Sequence, residues 1–93
     1  MSYEIIWDEK ARDFLRKIPQ EDAQRIIKKV NSIVDYPQHY VESLVEIDAY
    51  KLRIGDFRAL IGLSENNKTI SVLFIGNRKD IYKYLQRSGL LRK

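Results

Sequence analysis

The chain is short and rich in charge, and these two properties exclude several classes of protein. Its 93 residues, 44% hydrophobic and 32% charged, predict one domain over residues 1–93. With no cysteine and one histidine, it offers no disulfide and no zinc cluster, so we expect no metal and no small-molecule cofactor. No apolar run approaches the roughly 20 residues that span a bilayer, and the first residues lack a basic signal region, so we expect a cytoplasmic protein without membrane contact.

Positive charge is concentrated in the second half of the chain. Residues 1–44 carry seven Lys and Arg against eight Asp and Glu, a net charge of −1, whereas residues 45–93 carry ten against five, a net charge of +5. This asymmetry favours a polyanionic partner, which is either a nucleic acid or an acidic protein surface.

The first part of the chain predicts a strand and two helices. Residues 3–7 are mostly β-branched and aromatic, which is typical of a strand. Asp8 is suited to cap a helix that ends near Ile18, before a proline. A second helix should begin at residues 20–22 and stop before Tyr36. Apolar residues recur at helical spacing in both segments, so we expect a helical hairpin with one apolar face.

The middle of the chain predicts a β-hairpin. A loop over residues 37–43 and a short strand over residues 44–47 should come first. Residues 50–61 then alternate apolar and polar side chains around Gly55-Asp56, which predicts a tight hairpin with Gly55 at positive φ.

The last part of the chain predicts another turn, an interior strand and a helix. The turn covers residues 65–68, and the apolar run over residues 69–75 should form a central strand of the sheet. The last helix should run from Lys79 to Arg87 and end with Gly89 at the C′ position, followed by a tail. Helices segregated from a run of hairpin-linked strands indicate an α+β domain with a mainly antiparallel sheet.

The predicted hairpin has an apolar face and a cationic face. Because side chains alternate along a strand, Lys51, Arg53 and Arg58 share one face, and Arg53 lies directly opposite Arg58. Opposed like charges destabilise a pair of strands, so this arrangement indicates that an anion binds there. The alternative is that the three cations form the solvated side of a half-buried hairpin.

The start of the last helix offers further candidates. Arg78 follows the predicted central strand and can reach the cationic face of the hairpin, whereas Lys79 should mostly meet solvent. Tyr82 lies one helical turn after Arg78, and its ring either stacks a single-stranded base or packs on the sheet. Tyr84 points largely away, and we expect its ring to pack on the sheet.

Conventional catalytic motifs are missing from the sequence. His39 lies in a polar loop without an evident partner, so we assign it no catalytic role. There is no phosphate-binding loop, no dinucleotide fingerprint and no nucleophile elbow. Any chemistry must therefore come from lysine, arginine and tyrosine.

Two segments, Tyr50 to Arg58 and Ile75 to Tyr82, resemble the RelE branch of the RelE/ParE toxin superfamily, and the resemblance covers nearly the whole chain. It implies a RelE-like, microbial-RNase-like fold. It also implies a toxin that cleaves mRNA in the ribosomal A site without a metal, by attack of the 2′-OH, and that a RelB-like antitoxin silences by wrapping around it.

The resemblance also implies roles for individual residues. The family's basic catalytic positions match Lys51, Arg53, Arg58 and Arg78, and its C-terminal tyrosine matches Tyr82 or Tyr84. RNA or ribosome contacts are expected along the last helix, from Lys79, Lys83, Tyr84 and Arg87.

One departure from the family pattern concerns the proton acceptor. Arg53 stands where the best-known members carry lysine, and a guanidinium that stays protonated is a poor proton acceptor. The proton-accepting role therefore falls to Lys51. Two alternatives are a ParE-like toxin that binds gyrase and has no enzymatic activity, and an RNA- or ribosome-binding module that does not cleave.

Overall fold

The computed structural model describes residues 2–44 and 49–88, which form a five-stranded mixed sheet with helices on both faces. The strands are β1 (Glu4–Trp7), β2 (Val41–Ser43), β3 (Tyr50–Ile54), β4 (Phe57–Ser64) and β5 (Thr69–Gly76). The helices are α1 (Glu9–Lys17), α2 (Gln20–Ser32) and α3 (Arg78–Ser88). The strand order is β1-β5-β4-β3-β2, with β1 parallel to β5 and the other neighbouring pairs antiparallel. The predicted α+β class and the interior position of β5 are confirmed.

The helical hairpin forms as predicted, with one difference at its end. Asp8 caps α1 by accepting a hydrogen bond from the Lys10 N–H at 3.1 Å. The helix α2 ends at Ser32, earlier than predicted, because Ile33 leaves the helical conformation (φ −101°, ψ 3°) and donates its N–H to the carbonyl of Val30 at 3.3 Å. Beyond it, the carbonyl of Val34 accepts the N–H of Tyr3 at 2.8 Å, which ties the chain after α2 to the segment before β1.

The segment after α2 differs from the sequence prediction. Residues 37–43 contain a 3₁₀ helix, Pro37–His39, and the edge strand β2, where the sequence predicts a loop. The pairing of β2 with β3 places Val41 opposite Leu52, and Val41 packs against the core. A strand of three residues is too short to show an alternating pattern. Of the strand predicted over residues 44–47, Leu44 is not in a strand, and residues 45–47 lie outside the described residues.

Each face of the sheet carries its own hydrophobic core. The pair α1 and α2 covers one face, on which the hairpin side chains Leu52, Ile54, Ala59 and Ile61 are buried. On the other face, α3 packs its buried residues around Leu60. The predicted hairpin register is confirmed, so its apolar face meets α1 and α2, and its cationic face lies on the side of α3.

The last helix begins at Arg78, one residue before the predicted start. Its predicted C′ residue, Gly89, and the predicted tail over residues 90–93 lie outside the described residues. Within residues 2–44 and 49–88, no helix has both the length and the apolar content needed to cross a membrane.

Candidate functional site

The β3–β4 turn places two arginines side by side at one end of the sheet. Gly55 adopts a φ of 58°, which confirms the predicted positive value. Arg53 is paired with Arg58 in the strand register. The Arg53 side chain is exposed, whereas Arg58 is half-buried and directs Nη1 toward the carbonyl oxygens of Gly55 and Phe57, each at 3.4 Å. The two arginines therefore face the same side of the sheet, and among the described residues neither forms an ion pair with a carboxylate.

A reciprocal pair of hydrogen bonds fixes the start of α3. The Oδ1 atom of Asn77 accepts the Asp80 N–H at 2.9 Å, and the Oδ2 atom of Asp80 accepts the Asn77 N–H at 3.3 Å. This capping box holds Arg78 in the first turn, at the positive end of the helix dipole. Gly76 leaves space for the box, since a Cβ atom there would lie 2.6 Å from the Cβ of Asp80.

The hairpin turn and the start of α3 enclose a cleft of about 380 Å³, which we call the cationic cleft. Its lining residues are Arg53, Gly55, Asp56, Arg58, Asn77, Arg78 and Lys79. Because Arg58 is paired with Gly76 across β4 and β5, the end of β5 delivers Arg78 to the hairpin arginines. Among the described residues, no carboxylate forms an ion pair with any of the four cations in this lining. The cleft is therefore suited to bind an anion.

Lys51 and Tyr82 lie beside the cationic cleft and not in its lining. Lys51 precedes Arg53 by two residues on the same face of β3, and its Nζ lies 3.8 Å from the Oε2 atom of Glu42 on β2. The Tyr82 side chain is 58% exposed and lies one turn after Arg78, on the same side of α3. Of the five sequence-predicted catalytic residues, three line the same cleft, namely Arg53, Arg58 and Arg78.

The residues predicted to contact RNA along α3 are divided between two sides of the helix. Lys79 is exposed, as expected, and it also lines the cationic cleft. The other three line a separate cleft of about 290 Å³ together with residues of α1 and β5, and these lining residues are Lys10, Phe74, Asp80, Lys83, Tyr84 and Arg87. Of these four residues, only Lys79 lines the cationic cleft.

The two candidate tyrosines have different surroundings. The Tyr84 ring stacks on Phe74 of β5 with centroids 4.4 Å apart, and the Nζ atom of Lys10 lies 5.1 Å from the Tyr84 centroid. This confirms the prediction that Tyr84 packs on the sheet. Because the Tyr84 ring is already engaged within the protein, the exposed Tyr82 is the better placed of the two to stack a base.

Sequence reasoning missed three cations on α2. Arg25, Lys28 and Lys29 line a groove of about 390 Å³ on the other side of the hairpin turn. This α2 groove is lined by Arg25, Lys28, Lys29, Ser32, Arg53, Ile54 and Gly55. The i, i+3, i+4 spacing of the three cations places them on one face of the helix, and this spacing could have been read from the sequence.

His39 does not belong to any of these three clefts. It lies in the 3₁₀ helix, where its ring meets Tyr36 edge-on with centroids 5.8 Å apart. Within the part of the chain that the structure describes, no three His, Cys, Asp or Glu residues are grouped closely enough to hold a metal ion.

Asn77→Ala should lower the free energy of unfolding by about 0.5–2 kcal/mol, because it removes the acceptor that caps the Asp80 N–H. Urea denaturation followed by circular dichroism would measure the change. Asn77→Asp is the matched control, since it keeps an acceptor at the N-cap. If Asn77→Ala were as stable as the native chain, or Asn77→Asp as unstable as Asn77→Ala, the capping box would not be what holds the start of α3.

Comparisons with known proteins agree with this fold. A family model described as the ParE toxin of a type II toxin-antitoxin system, parDE, matches residues 5–82. Comparison with curated proteins gives no significant match.

Solved structures of RelE toxins share the architecture. The chain superimposes on the RelBE2 toxin-antitoxin complex of Mycobacterium tuberculosis with a TM-score of 0.78 at 18% identity, covering 84% of this chain and 100% of that chain. It also matches a free double-arginine mutant of E. coli RelE, with a TM-score of 0.75 at 20% identity, over 96% and 97% of the two chains. For the RelE-RelB complex of Pyrococcus horikoshii the TM-score is 0.68 at 21% identity, over 84% and 97%. The predicted RelE-like fold is confirmed.

Proposed function

Because the chain belongs to the ParE toxin family of type II toxin-antitoxin systems, within the RelE/ParE superfamily, we propose that it inhibits translation by cleaving mRNA in the ribosomal A site. The observation that carries this proposal is the convergence of Arg53, Arg58 and Arg78 on one cleft. Cations that are fixed before the reaction stabilise a phosphate whose negative charge grows in the transition state, without further reorganisation.

The proposed reaction is an attack of the 2′-oxygen on the adjacent phosphorus. The bond from phosphorus to O2′ forms as the bond to O5′ breaks, which leaves a 2′,3′-cyclic phosphate and a 5′-hydroxyl. Arg53 and Arg58 would neutralise the non-bridging oxygens. Arg78, at the positive end of the α3 dipole, would stabilise the leaving 5′-oxygen, which takes a proton from water to become the 5′-hydroxyl. Tyr82 would stack the base and align the 2′-oxygen with the bond that breaks.

The proton of the 2′-OH requires an acceptor other than arginine, because a guanidinium stays protonated. Lys51, acting as a neutral amine, is the proposed acceptor, since it lies two residues from Arg53 on the same face of β3. The contact between Lys51 and Glu42 favours the protonated form, so the amine would have to leave Glu42 before it accepts the proton. Lys79 is the alternative acceptor, because it lines the cleft directly. The ribosome would hold the message in the reactive geometry, which explains how so few side chains suffice.

The proposed protein partner is a RelB-like antitoxin. Structures similar to this chain include RelE-RelB complexes from Pyrococcus horikoshii and Methanococcus jannaschii. The net charge of +4 favours an acidic partner, and the exposed Ile27 on α2 and Ile6 on the edge strand β1 offer apolar contacts. An antitoxin whose carboxylates approach the cationic cleft would exclude RNA from it.

A toxin that binds gyrase without cleaving RNA is the second candidate. The observation in its favour is that the matching family model is that of ParE toxins. Such a toxin does not require a phosphate-binding cleft, so the three converging arginines favour the endoribonuclease.

The purified chain should cut mRNA on translating ribosomes and leave DNA supercoiling by gyrase unaffected. Primer extension would show the cuts as new 5′ ends. The chelator 1,10-phenanthroline should not alter the rate of mRNA cleavage. A change of free Mg²⁺ above the level that keeps ribosomes intact should not alter it either, because the described cleft is lined by cations and a single carboxylate, which are poorly suited to hold a metal ion. Inhibited supercoiling with intact mRNA would establish the second candidate, and cleavage that requires an added metal would overturn the mechanism.

A further inference from the structure

The cationic cleft continues past the hairpin turn into the α2 groove. The two concavities share Arg53 and Gly55 in their linings. From this shared wall, the cationic cleft extends toward α3 and the α2 groove extends toward the opposite side of the turn. The result is one cationic track that crosses the end of the hairpin.

The turn between the two concavities presents a positioned cation. Gly55 has no side chain, and the guanidinium of Arg25 lies over it, such that a Cβ atom on Gly55 would be 3.3 Å from Nη2. Two contacts hold Arg25 in this place. Asp22 lies 3.6 Å from its Nη2 atom, and the Phe57 ring centroid lies 5.8 Å from its Cζ atom. A polyanion that crosses the turn would therefore meet the guanidinium of Arg25, whose positive charge Asp22 partly offsets.

Two lysines extend the track along α2. Lys28 is exposed, and the Nζ atom of Lys29 lies 5.2 Å from the Tyr40 ring centroid. Within residues 2–44 and 49–88, no carboxylate forms an ion pair with either lysine. Both lysines belong to the layer on the other side of the sheet from α3, so a single phosphate in the cationic cleft would not contact them. A polyanion longer than the cleft would contact both lysines.

We propose that the α2 groove binds the phosphodiester backbone of the message strand where that strand leaves the cationic cleft. The proposal rests on the proposed function, because it takes the occupant of the cleft to be RNA. The message strand is favoured over an acidic protein segment because the groove begins at Arg53, the residue proposed to hold the phosphate that is attacked. An RNA strand held at Arg53 carries further phosphates on either side of the one attacked, and these can occupy the adjoining α2 groove.

The test compares Lys28→Gln/Lys29→Gln with the matched control Arg12→Gln/Lys17→Gln, which removes two exposed cations from α1. The probes are 2′-O-methyl RNA oligonucleotides, which cannot undergo the attack, of about 4 and about 12 nucleotides. Fluorescence anisotropy would give their affinities as a function of salt. For the longer probe and the glutamine variant, the slope of log K against log salt should become less negative by about 0.7 for each phosphate that the variant no longer neutralises. The glutamine variant should bind the shorter probe as tightly as the native chain does. The control variant should bind both probes as tightly as the native chain does.

Lys28→Arg/Lys29→Arg should restore binding of the longer probe, because it keeps both charges. Unchanged binding of the longer probe to the glutamine variant would overturn the proposal, as would an equal loss for both probe lengths. A loss confined to the affinity for ribosomes or for an antitoxin would also overturn it, since the groove would then meet another partner. If the native chain bound the probes but did not cut mRNA on ribosomes, the proposed function would fail separately.

Discussion

Arg78→Ala should lower the single-turnover rate of mRNA cleavage by about 100-fold or more, the scale typical of losing one preorganised charge stabiliser. The capping box fixes the start of α3, so that Arg78 lines the cationic cleft, and among the described residues no carboxylate forms an ion pair with it. The rate should be measured at saturating ribosomes, so that a loss of affinity does not contribute. Stability should change little, because substitutions at exposed sites usually shift the free energy of unfolding by at most about 0.5 kcal/mol.

Two controls separate position from charge. Arg12→Ala removes one exposed arginine from α1, on the opposite face of the sheet, and should leave the rate unchanged. Arg78→Lys keeps the charge and should recover part of the activity. If Arg12→Ala impaired cleavage as much as Arg78→Ala, the arginines would supply only diffuse charge, and the proposed role of Arg78 would be wrong.

Arg58→Gln should produce opposite effects on activity and stability. The cleavage rate should fall by about 100-fold or more, because the half-buried guanidinium of Arg58 is fixed in the cleft. Stability should rise by about 0.2–1 kcal/mol, because the substitution relieves the repulsion between Arg58 and the cross-strand Arg53 while keeping most of the side-chain stem. Urea denaturation would measure the gain.

A double-mutant cycle tests whether the gain comes from that pair. Arg53→Gln alone should stabilise the fold by a similar amount, and the double variant should gain no more than either single variant, since one repulsion can be removed only once. Additive gains would show that the two arginines do not repel each other. A stable Arg58→Gln variant with full activity would remove Arg58 from the catalytic set.

The parts of the fold with strong local patterns could be predicted from the sequence. The hairpin register followed from one glycine and strict alternation, because a shift of one residue would move every apolar side chain to the wrong face. The start of α1 followed from the capping residue Asp8, and its end followed from a proline. The edge strand β2 could not be predicted, because three residues carry no period and the pairing with β3 forms only in the tertiary structure.

The candidate site could be predicted only where the chain itself brings residues together. Arg53 and Arg58 are neighbours through the hairpin, and β5 brings Arg78 to them by pairing with β4. The position of Lys79 in the cleft depends on the direction in which α3 leaves β5, which local sequence does not specify. Arg25 meets the turn through packing of α2 on the sheet, a contact that spans 30 residues of sequence.

The chemistry of the cut tests the central claim most directly. An mRNA should be prepared with one 2′-deoxynucleotide at the mapped cleavage position, bound to ribosomes and compared with the all-ribose message. If the 2′-oxygen is the nucleophile, the deoxy message should stay intact at that position, and the ribose message should yield a 2′,3′-cyclic phosphate and a 5′-hydroxyl. Cleavage of the deoxy message, or 5′-phosphate ends on the ribose message, would contradict the account.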